Sequence, residues 1–319
     1  MPAPVVVAEV VRSGFVEGHH HGSVVALAAD GATAWSVGEV TAAVLPRSCN
    51  KPIQALGMVR LGLDLPPDLL ALACASHSGE AFHLDGVRRI LALGDLDESA
   101  LRNVRDYPLD DAAKVAAIRA GEEPRTLFMN CSGKHAAMLL TCVVNGWDTE
   151  TYLSPEHPLQ QAIAETFAEV TGEPVEVTAV DGCGAPLLST SLTGLARAFR
   201  ALAVATDGPE HRIAEAIRSH PAYVSGTTRD ELKLLTAVPG GIGKAGAEAC
   251  YAVALPDGRA WALKIDDGGA RARPVVMAEA LRRDGVPTEP GVDAGALDDT
   301  GVVPVLGAGE PVGEIRAAF

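Results

Sequence analysis

Hydrophobic positions along the chain fall into three regimes. From Val5 to Val40 they come as short strand-like runs, Val5-Val6-Val7, Val24-Val25-Ala26-Leu27 and Ala34-Trp35-Ser36-Val37. The last two flank Asp30-Gly31, a dipeptide suited to tight hairpin turns, so a β-hairpin is expected there. From Lys51 to about Ala205 apolar residues recur instead at helical spacing, as in Leu69-Leu70-Ala71-Ala73, Val87-Ile90-Leu91, Ala113-Val115-Ala116-Ile118 and Ala136-Met138-Leu139-Val143. Ser154-Pro155-Glu156 signals a helix start ahead of Leu159, Ile163 and Phe167. Val175 to Val180 alternates and predicts a short strand running into Asp181-Gly182-Cys183-Gly184, with further helices across Leu192 to Ala205 and Glu210 to Arg218. Beyond Pro239 strand character returns. Cys250 to Leu255 and Ala260 to Ile265, around Asp257-Gly258, predict a second hairpin, followed by a helix from Ala270 to Arg283.

No repeat, long linker or low-complexity tract interrupts this order. Strands, a long helical middle, strands and a last helix predict an α/β fold, its antiparallel sheet built from both chain ends with the helical region inserted. The expectation is a single domain over residues 1–319, with sheet parts at about 1–46 and 239–319 and a helical part at about 47–238. Such a topology brings residues distant in sequence to one crevice.

Composition narrows the function classes. With 319 residues, 48% hydrophobic and 21% charged, the chain is globular and can bury a large core. Its formal net charge of −15 argues against nucleic acid or an anionic membrane as partner. A small-molecule substrate fits better. No apolar stretch is long enough to span a bilayer, and Met1 to Gly14 lacks the basic start and small-residue cleavage site of a secretory signal. A cytoplasmic setting is therefore expected, in which Cys49, Cys74, Cys131, Cys142, Cys183 and Cys250 stay reduced. The Asn130-Cys131-Ser132 glycosylation triplet is set aside for the same reason. His19-His20-His21 is expected to be solvated, because consecutive residues on a strand point to opposite faces.

Four stretches carry candidate chemistry. In Arg47-Ser48-Cys49-Asn50-Lys51-Pro52 the Ser-x-x-Lys spacing puts hydroxyl and amine about a turn apart on one helix face. A serine becomes nucleophilic when a neighbour takes its proton, and a lysine whose pKa is lowered by burial or nearby positive charge can do so. Its plain structural reading is a capping serine and a surface lysine. Ala75-Ser76-His77-Ser78-Gly79-Glu80 could present Ser78 as a second hydroxyl, or Ser76 or Ser78 could start the next helix. Met129-Asn130-Cys131-Ser132-Gly133-Lys134-His135 repeats the three-residue spacing with a thiol, which near an ammonium suits nucleophilic attack or metal binding, while Cys183 on its Gly-rich turn could add a second soft ligand. Buried, inert thiols are the alternative. Gly241, Gly243 and Gly246 satisfy Gly-x-Gly-x-x-Gly, yet a helical pattern precedes them and a strand follows, the reverse of a dinucleotide fold. Lys244 among them reads as a cation where backbone can approach a substrate closely, or as a solvated lysine on a turn.

Taken together, Arg-Ser-x-x-Lys-Pro-x-Gln (Arg47 to Gln54), Ala-Ser-His-Ser-Gly-Glu (Ala75 to Glu80), Asn-Cys-Ser-Gly-Lys-His (Asn130 to His135), Asp-Gly-Cys-Gly-Ala-Pro (Asp181 to Pro186), Lys-x-Gly-Ala-Glu (Lys244 to Glu248) and Lys-Ile-Asp-Asp-Gly (Lys264 to Gly268) occur in this order. The chain resembles the rhizobial-type L-asparaginases, or asparaginase II family, over nearly its whole length. The resemblance implies hydrolysis of L-asparagine to L-aspartate and ammonia on a β-lactamase/glutaminase-like fold. It assigns Ser48 as nucleophile, Lys51 as its activating lysine, and Ser78 and Lys244 as a second hydroxyl and lysine relaying protons. It further implies zinc held by Cys131, Lys134 and Cys183, and substrate contacts from Arg47, His135 and Asp181. A homodimer is the expected assembly. The sequence departs from the family at Cys49 and Asn50, which fill variable places, at Ala249-Cys250, and at Glu231, where some members carry a further cysteine. Competing readings are a glutaminase or other Ser-x-x-Lys amidohydrolase, an enzyme with Cys131 as nucleophile and His135 or Lys134 as base, and a non-catalytic metal or amino-acid binding protein.

Overall fold

A computed structural model describes residues 4–319. In chain order the strands are β1 (Val5–Arg12), β2 (Phe15–Leu27), β3 (Thr33–Val37), β4 (Thr178–Val180), β5 (Pro186–Leu188), β6 (Ile242–Gly246), β7 (Cys250–Ala254), β8 (Ala260–Ile265), β9 (Pro304–Gly307) and β10 (Glu310–Ala317). The helices are α1 (Lys51–Arg60), α2 (Pro67–Ala73), α3 (Ala81–Ala92), α4 (Asp111–Arg119), α5 (Ser132–Asn145), α6 (Pro158–Thr171), α7 (Leu192–Val204), α8 (Gly208–Ser219), α9 (Pro221–Val224), α10 (Asp230–Ala237), α11 (Ala272–Arg283) and α12 (Ala294–Thr300). The chain divides into two compact units, one comprising residues up to Cys49, Thr190–Val204 and Lys233–Phe319, the other Asn50–Ser189 and Ala205–Leu232. None of the helices among the described residues is long and apolar enough to cross a membrane.

The first unit is built on an antiparallel sheet of order β6-β7-β8-β2-β1-β10-β9, with β3 also paired to β2. Strands from the two chain ends meet twice, where Gly22–Leu27 of β2 pairs with β8 and where β1 pairs with β10. The sheet is therefore made by both ends of the chain, as the hydrophobic pattern predicts. Both expected hairpins form, β2–β3 around Asp30-Gly31 and β7–β8 around Asp257-Gly258. Every residue of β7 is buried, as expected of an inner strand covered on both faces. Helices α7 and α11 pack on β8, and Trp261, Tyr251 and Leu27 are among the largest buried side chains of this unit.

Two features of this unit differ from the sequence reading. The β9–β10 pair is unforeseen because exposed Leu306, Glu310 and Glu314 break the alternation, leaving only Val305 and Ile315 buried. The histidine triplet is not simply solvated. His19 is exposed, but β2 runs through the triplet and buries His20, whose Nδ1 lies 2.6 Å from Asp267 Oδ2 while Nε2 accepts from Arg271 Nε at 3.0 Å.

The second unit is helical apart from the small β4–β5 ribbon. Helix α1 packs on α6, α3 on α5 and α2 on α8. Proline sits in the first turn of α1 and of α6, where its missing N–H costs nothing. The α6 start lies at Pro158, beyond Ser154-Pro155-Glu156, because that segment closes a turn with His157 N–H on Ser154 O and the His157 ring then caps Leu159 N. Helix α4 forms as its spacing predicts but buries none of its residues, leaving Val115 and Ile118 exposed. The strand expected over 175–180 shrinks to β4.

Candidate active site

Ser48 lies in a single 3-10 turn, Arg47–Asn50, that enters α1. In the first unit this turn rests on β6, the edge strand that carries Lys244. Two contacts fix it there. The Cys49 thiol donates to the Lys244 carbonyl at 2.9 Å, and the turn comes so close to Gly246 that a Cβ there would lie 2.6 Å from Pro46 O and 3.2 Å from Ser48 N. Residues two apart on a strand share a face, so Lys244 projects from the same face of β6 as that missing Cβ. Lys244 is fully buried, with Nζ donating to the Ala245 carbonyl at 2.7 Å, which removes the solvated-turn reading. Ser48 itself is half-buried, and Arg47 beside it holds φ at 52°. The Arg47 guanidinium stands 3.7 Å from Glu248 Oε1.

The second unit begins one residue before Lys51. The Lys51 amine, 1% exposed, donates to Ala75 O at 2.6 Å and to Ser76 Oγ at 2.9 Å. Ser78 is differently engaged. Its hydroxyl donates to Ser225 O at 2.9 Å, and Gly226 passes so near that a Cβ there would lie 2.0 Å from Ser78 Oγ. Neither serine caps α3, whose N-cap is Glu80. His77 between them is locked. Ser132 Oγ gives its proton to Leu127 O and so accepts from His77 Nε2–H at 2.8 Å, while His77 Nδ1 accepts from Gly79 N at 3.1 Å. Burial, with His83 and Lys51 nearby, keeps this imidazole well below its ordinary pKa.

Cys131, Lys134 and Cys183 meet in the same unit. The Asp181–Ala185 loop of the β4–β5 ribbon, closed by Asp181 N on Ala185 O, presents Cys183 to the start of α5. Lys134 Nζ lies 3.2 Å from Cys183 Sγ. A hydrogen bond from the Cys131 thiol, reinforced by the Lys134 charge, holds Cys183 far below the usual thiol range in spite of its burial. Cys131 is correspondingly pushed well up, by that same hydrogen bond and by burial. Burial opposes the Lys134 ammonium, yet Cys183, Cys131 and Asp181 raise it above its ordinary value. The trio thus sets a thiol shifted up, a thiol shifted down and an amine side by side, with the Cys131 thiol also donating to Asn130 Oδ1 at 3.2 Å. His135 lies next to it, fully buried, with Nδ1 2.7 Å from Tyr152 OH. Tyr152 OH accepts from Arg102 N, so it donates to Nδ1 and leaves the proton on Nε2. Burial lowers the His135 pKa, with the Cys183 thiolate working the other way. Asp181 is half-buried on the loop, its Oδ1 accepting from Gly182 N at 2.9 Å.

A sequence model of the family described as L-asparaginase II matches residues 8–317. The chain belongs to the L-asparaginase II family. It is accordingly an amidohydrolase. Among curated proteins no match was found. Solved structures similar to this asparaginase II chain include a β-lactamase from Mycobacterium bovis, with a TM-score of 0.47 and 15% identity over 82% of this chain and 94% of that one. Mglu in its native form gives 0.46 and 14% over 83% of this chain and 64% of the other. The D-alanine carboxypeptidase AmpC of Burkholderia cenocepacia gives 0.40 and 13% over 83% and 93%.

For the zinc that the asparaginase II resemblance implies, the donor set is the test. Among the described residues no three Cys, His, Asp or Glu side chains converge as a metal cluster. Cys131, Lys134 and Cys183 instead supply two sulfurs and one amine, a set that fits zinc's preference for thiolate and nitrogen provided Lys134 sheds its proton. The fold therefore gathers Arg47, Ser48 and Lys244 in one unit, and Lys51, Cys131, Lys134, His135, Asp181 and Cys183 in the other. The Lys51 amine bonds Ser76, which the sequence reading did not assign, and Ser78 lies in the same unit. Sequence reasoning also missed the Cys49 thiol as a link to β6 and Gly246 as the seat of the turn. Lys-x-Gly was the available signal for the second, whereas nothing in the sequence pointed to the first.

Proposed function

We propose that this chain hydrolyses L-asparagine to L-aspartate and ammonia through an acyl-enzyme on Ser48. Ser48 Oγ attacks the side-chain carbonyl as its proton passes to Lys51, three residues on. Backbone N–H groups near Ser48 and after Lys244 hold the oxyanion. Collapse of the tetrahedral intermediate breaks the C–N bond, and ammonia departs with a proton delivered through the lysine-serine relay. Water then attacks the ester, giving aspartate and restoring the Ser48 hydroxyl. In that relay Lys244 serves beside Ser48, and the hydroxyl paired with Lys51 is Ser76, with Ser78 holding the Ser225 carbonyl. Cys131, Lys134 and Cys183 would hold zinc, which when bound would order the pocket and orient the substrate. Arg47, His135 and Asp181 are the proposed substrate contacts.

The observation that supports this reading best is the seating of the Ser48 turn on Gly246, two residues from buried Lys244 on the same strand face. Cys131 is the weaker nucleophile candidate, since its bond to Cys183 and its burial push its thiol well up. Ammonia release from asparagine, glutamine and a β-lactam, measured for the wild type and Ser48→Ala, tests the proposal. Release is expected from asparagine above all and only with Ser48 present. Unchanged turnover in Ser48→Ala would overturn it.

A further inference from the structure

The Lys-Ile-Asp-Asp-Gly stretch from Lys264 to Gly268 takes no part in the chemistry at Ser48, yet its first and third residues line a separate cavity of the first unit. That cavity originates in the strand pairing. β1 begins at Val5, opposite Gly22, and β3 ends at Val37, opposite Val24, so two strand ends share one edge of β2 and leave Ser23 without a partner residue there. The space enclosed is about 690 Å³, within the range of small-molecule sites. Arg47, Ser48 and Lys244 are not among the described residues that line it.

One wall is apolar and firmly held. Val44 exchanges paired backbone bonds with Thr190 at 2.9 and 3.2 Å, and Thr193 donates to Val40 O through both N and Oγ1, which fixes half-buried Val44 beside buried Leu192. The polar side is set by register. Ser23 stands directly opposite Lys264 across the β2–β8 pair and Asp266 follows Lys264 by two residues, so all three project from one face. Lys264 is half-buried, and its amine gives one N–H to the Ile265 carbonyl, leaving two. No ion pair joins it to exposed Asp266 among the described residues. Glu39, also at the cavity, spends one carboxylate oxygen on Thr41 N, Thr41 Oγ1 and Ala42 N.

These charges select a head group. A net anion would meet Asp266 and Glu39, and a net cation would meet Lys264. An uncharged group that both accepts and donates meets neither conflict: a carboxamide takes a Lys264 N–H on its oxygen and gives its own N–H to Asp266. We propose that this cavity is a second small-molecule site, selective for a carboxamide on an apolar body and separate from the place where Ser48 acts. The body lies against Val44 and Leu192, the head against Lys264, Asp266 and Ser23.

Phenylacetamide, phenylacetate and phenethylammonium share one apolar body and differ in charge, so the experiment titrates each into the Ser48→Ala protein by calorimetry, with turnover removed. Phenylacetamide should bind at least about tenfold more tightly than either ion, and Lys264→Met, which keeps an apolar stem without N–H groups, should weaken it by about tenfold. Ala42→Trp, placed at the exposed rim, should fill the cavity and abolish binding, thermal melts showing that each variant is folded. Equal binding of the three probes, no binding of phenylacetamide, or binding that neither substitution changes in a folded protein would overturn the proposal. Affinity is read here without turnover, so these outcomes leave hydrolysis at Ser48 untouched.

Discussion

Replacing Gly246 with alanine isolates the contact on which the site's geometry depends. Gly246 has φ of −119° and ψ of 164°, ordinary extended values that alanine adopts freely, so any effect of the substitution is steric. The new methyl would lie 2.6 Å from Pro46 O, 3.2 Å from Ser48 N and 3.3 Å from Cys49 N, all of them backbone atoms with no rotamer to change. Relief requires the turn to retreat by roughly 0.5 Å or more, to ordinary van der Waals separation. Overpacking of this sort costs about 1–3 kcal/mol of stability. Misplacing a nucleophile by about 1 Å costs on the order of 100-fold in rate, so kcat should fall by about 10- to 100-fold. Gly243→Ala provides the control, because Gly243 is three residues away and faces the other side of β6. Its methyl would meet Ala252 O and Val253 Cγ2 at 3.2 Å, and there stability alone should decline. Ammonia release in a coupled assay, alongside thermal melts, separates the two outcomes. Gly246→Ala within threefold of the wild-type kcat, or Gly243→Ala equally impaired, would refute the reasoning.

The pairing of Lys51 with Ser76 predicts that Ser76→Ala lowers kcat by about 100-fold or more, whereas Ser78→Ala, which strands the Ser225 carbonyl, costs about 1 kcal/mol in a melt and little turnover; the reverse order of effects would contradict it. Buried His83 is held down to about 4, mainly by burial, while the unfolded chain takes up its proton near 6.5. The unfolded state therefore binds more protons between those values, so stability should fall as pH drops from about 6.5 to about 4, by up to about 3 kcal/mol, and level off below. Urea unfolding against pH should show a shallower slope in His83→Gln, and an identical slope would exclude His83 as the source. If Cys131, Lys134 and Cys183 hold zinc, affinity should rise with pH as their protons are displaced. Metal content after zinc loading should drop in both Cys131→Ala and Cys183→Ala, and undiminished content would place any metal elsewhere.

The sheet was legible wherever a turn dipeptide separated two short apolar runs, as at Asp30-Gly31 and Asp257-Gly258. It was not legible in β9–β10, whose outward residues include Leu306 and whose burial rests on Val305 and Ile315. Helical periodicity located α4 but did not report that nothing covers it. In the site, Ser48, Lys51 and Lys244 stood out because hydroxyl and amine at fixed spacing have a chemical meaning. Ser78 was singled out over Ser76 by the family motif alone, since residues two apart on an extended segment share a face and packing with Ser225 and Gly226 is what separates them. The Cys49 thiol occupies a position that spacing treats as variable, and its bond to Lys244 O spans 195 residues of sequence. Backbone strain at Arg47 leaves no trace in composition, because arginine is ordinary on a surface. His20 was misjudged because its partner Asp267 lies on a turn after β8, which strand alternation cannot anticipate.

The central claim is that Ser48 carries the acyl group. Rapid quench of the enzyme during asparagine turnover, followed by peptide mass mapping, tests it most directly. The account predicts an aspartyl ester on the peptide containing Ser48, absent in Ser48→Ala and accumulating when water attack is slowed; an adduct on Cys131, or undiminished turnover without Ser48, would contradict it.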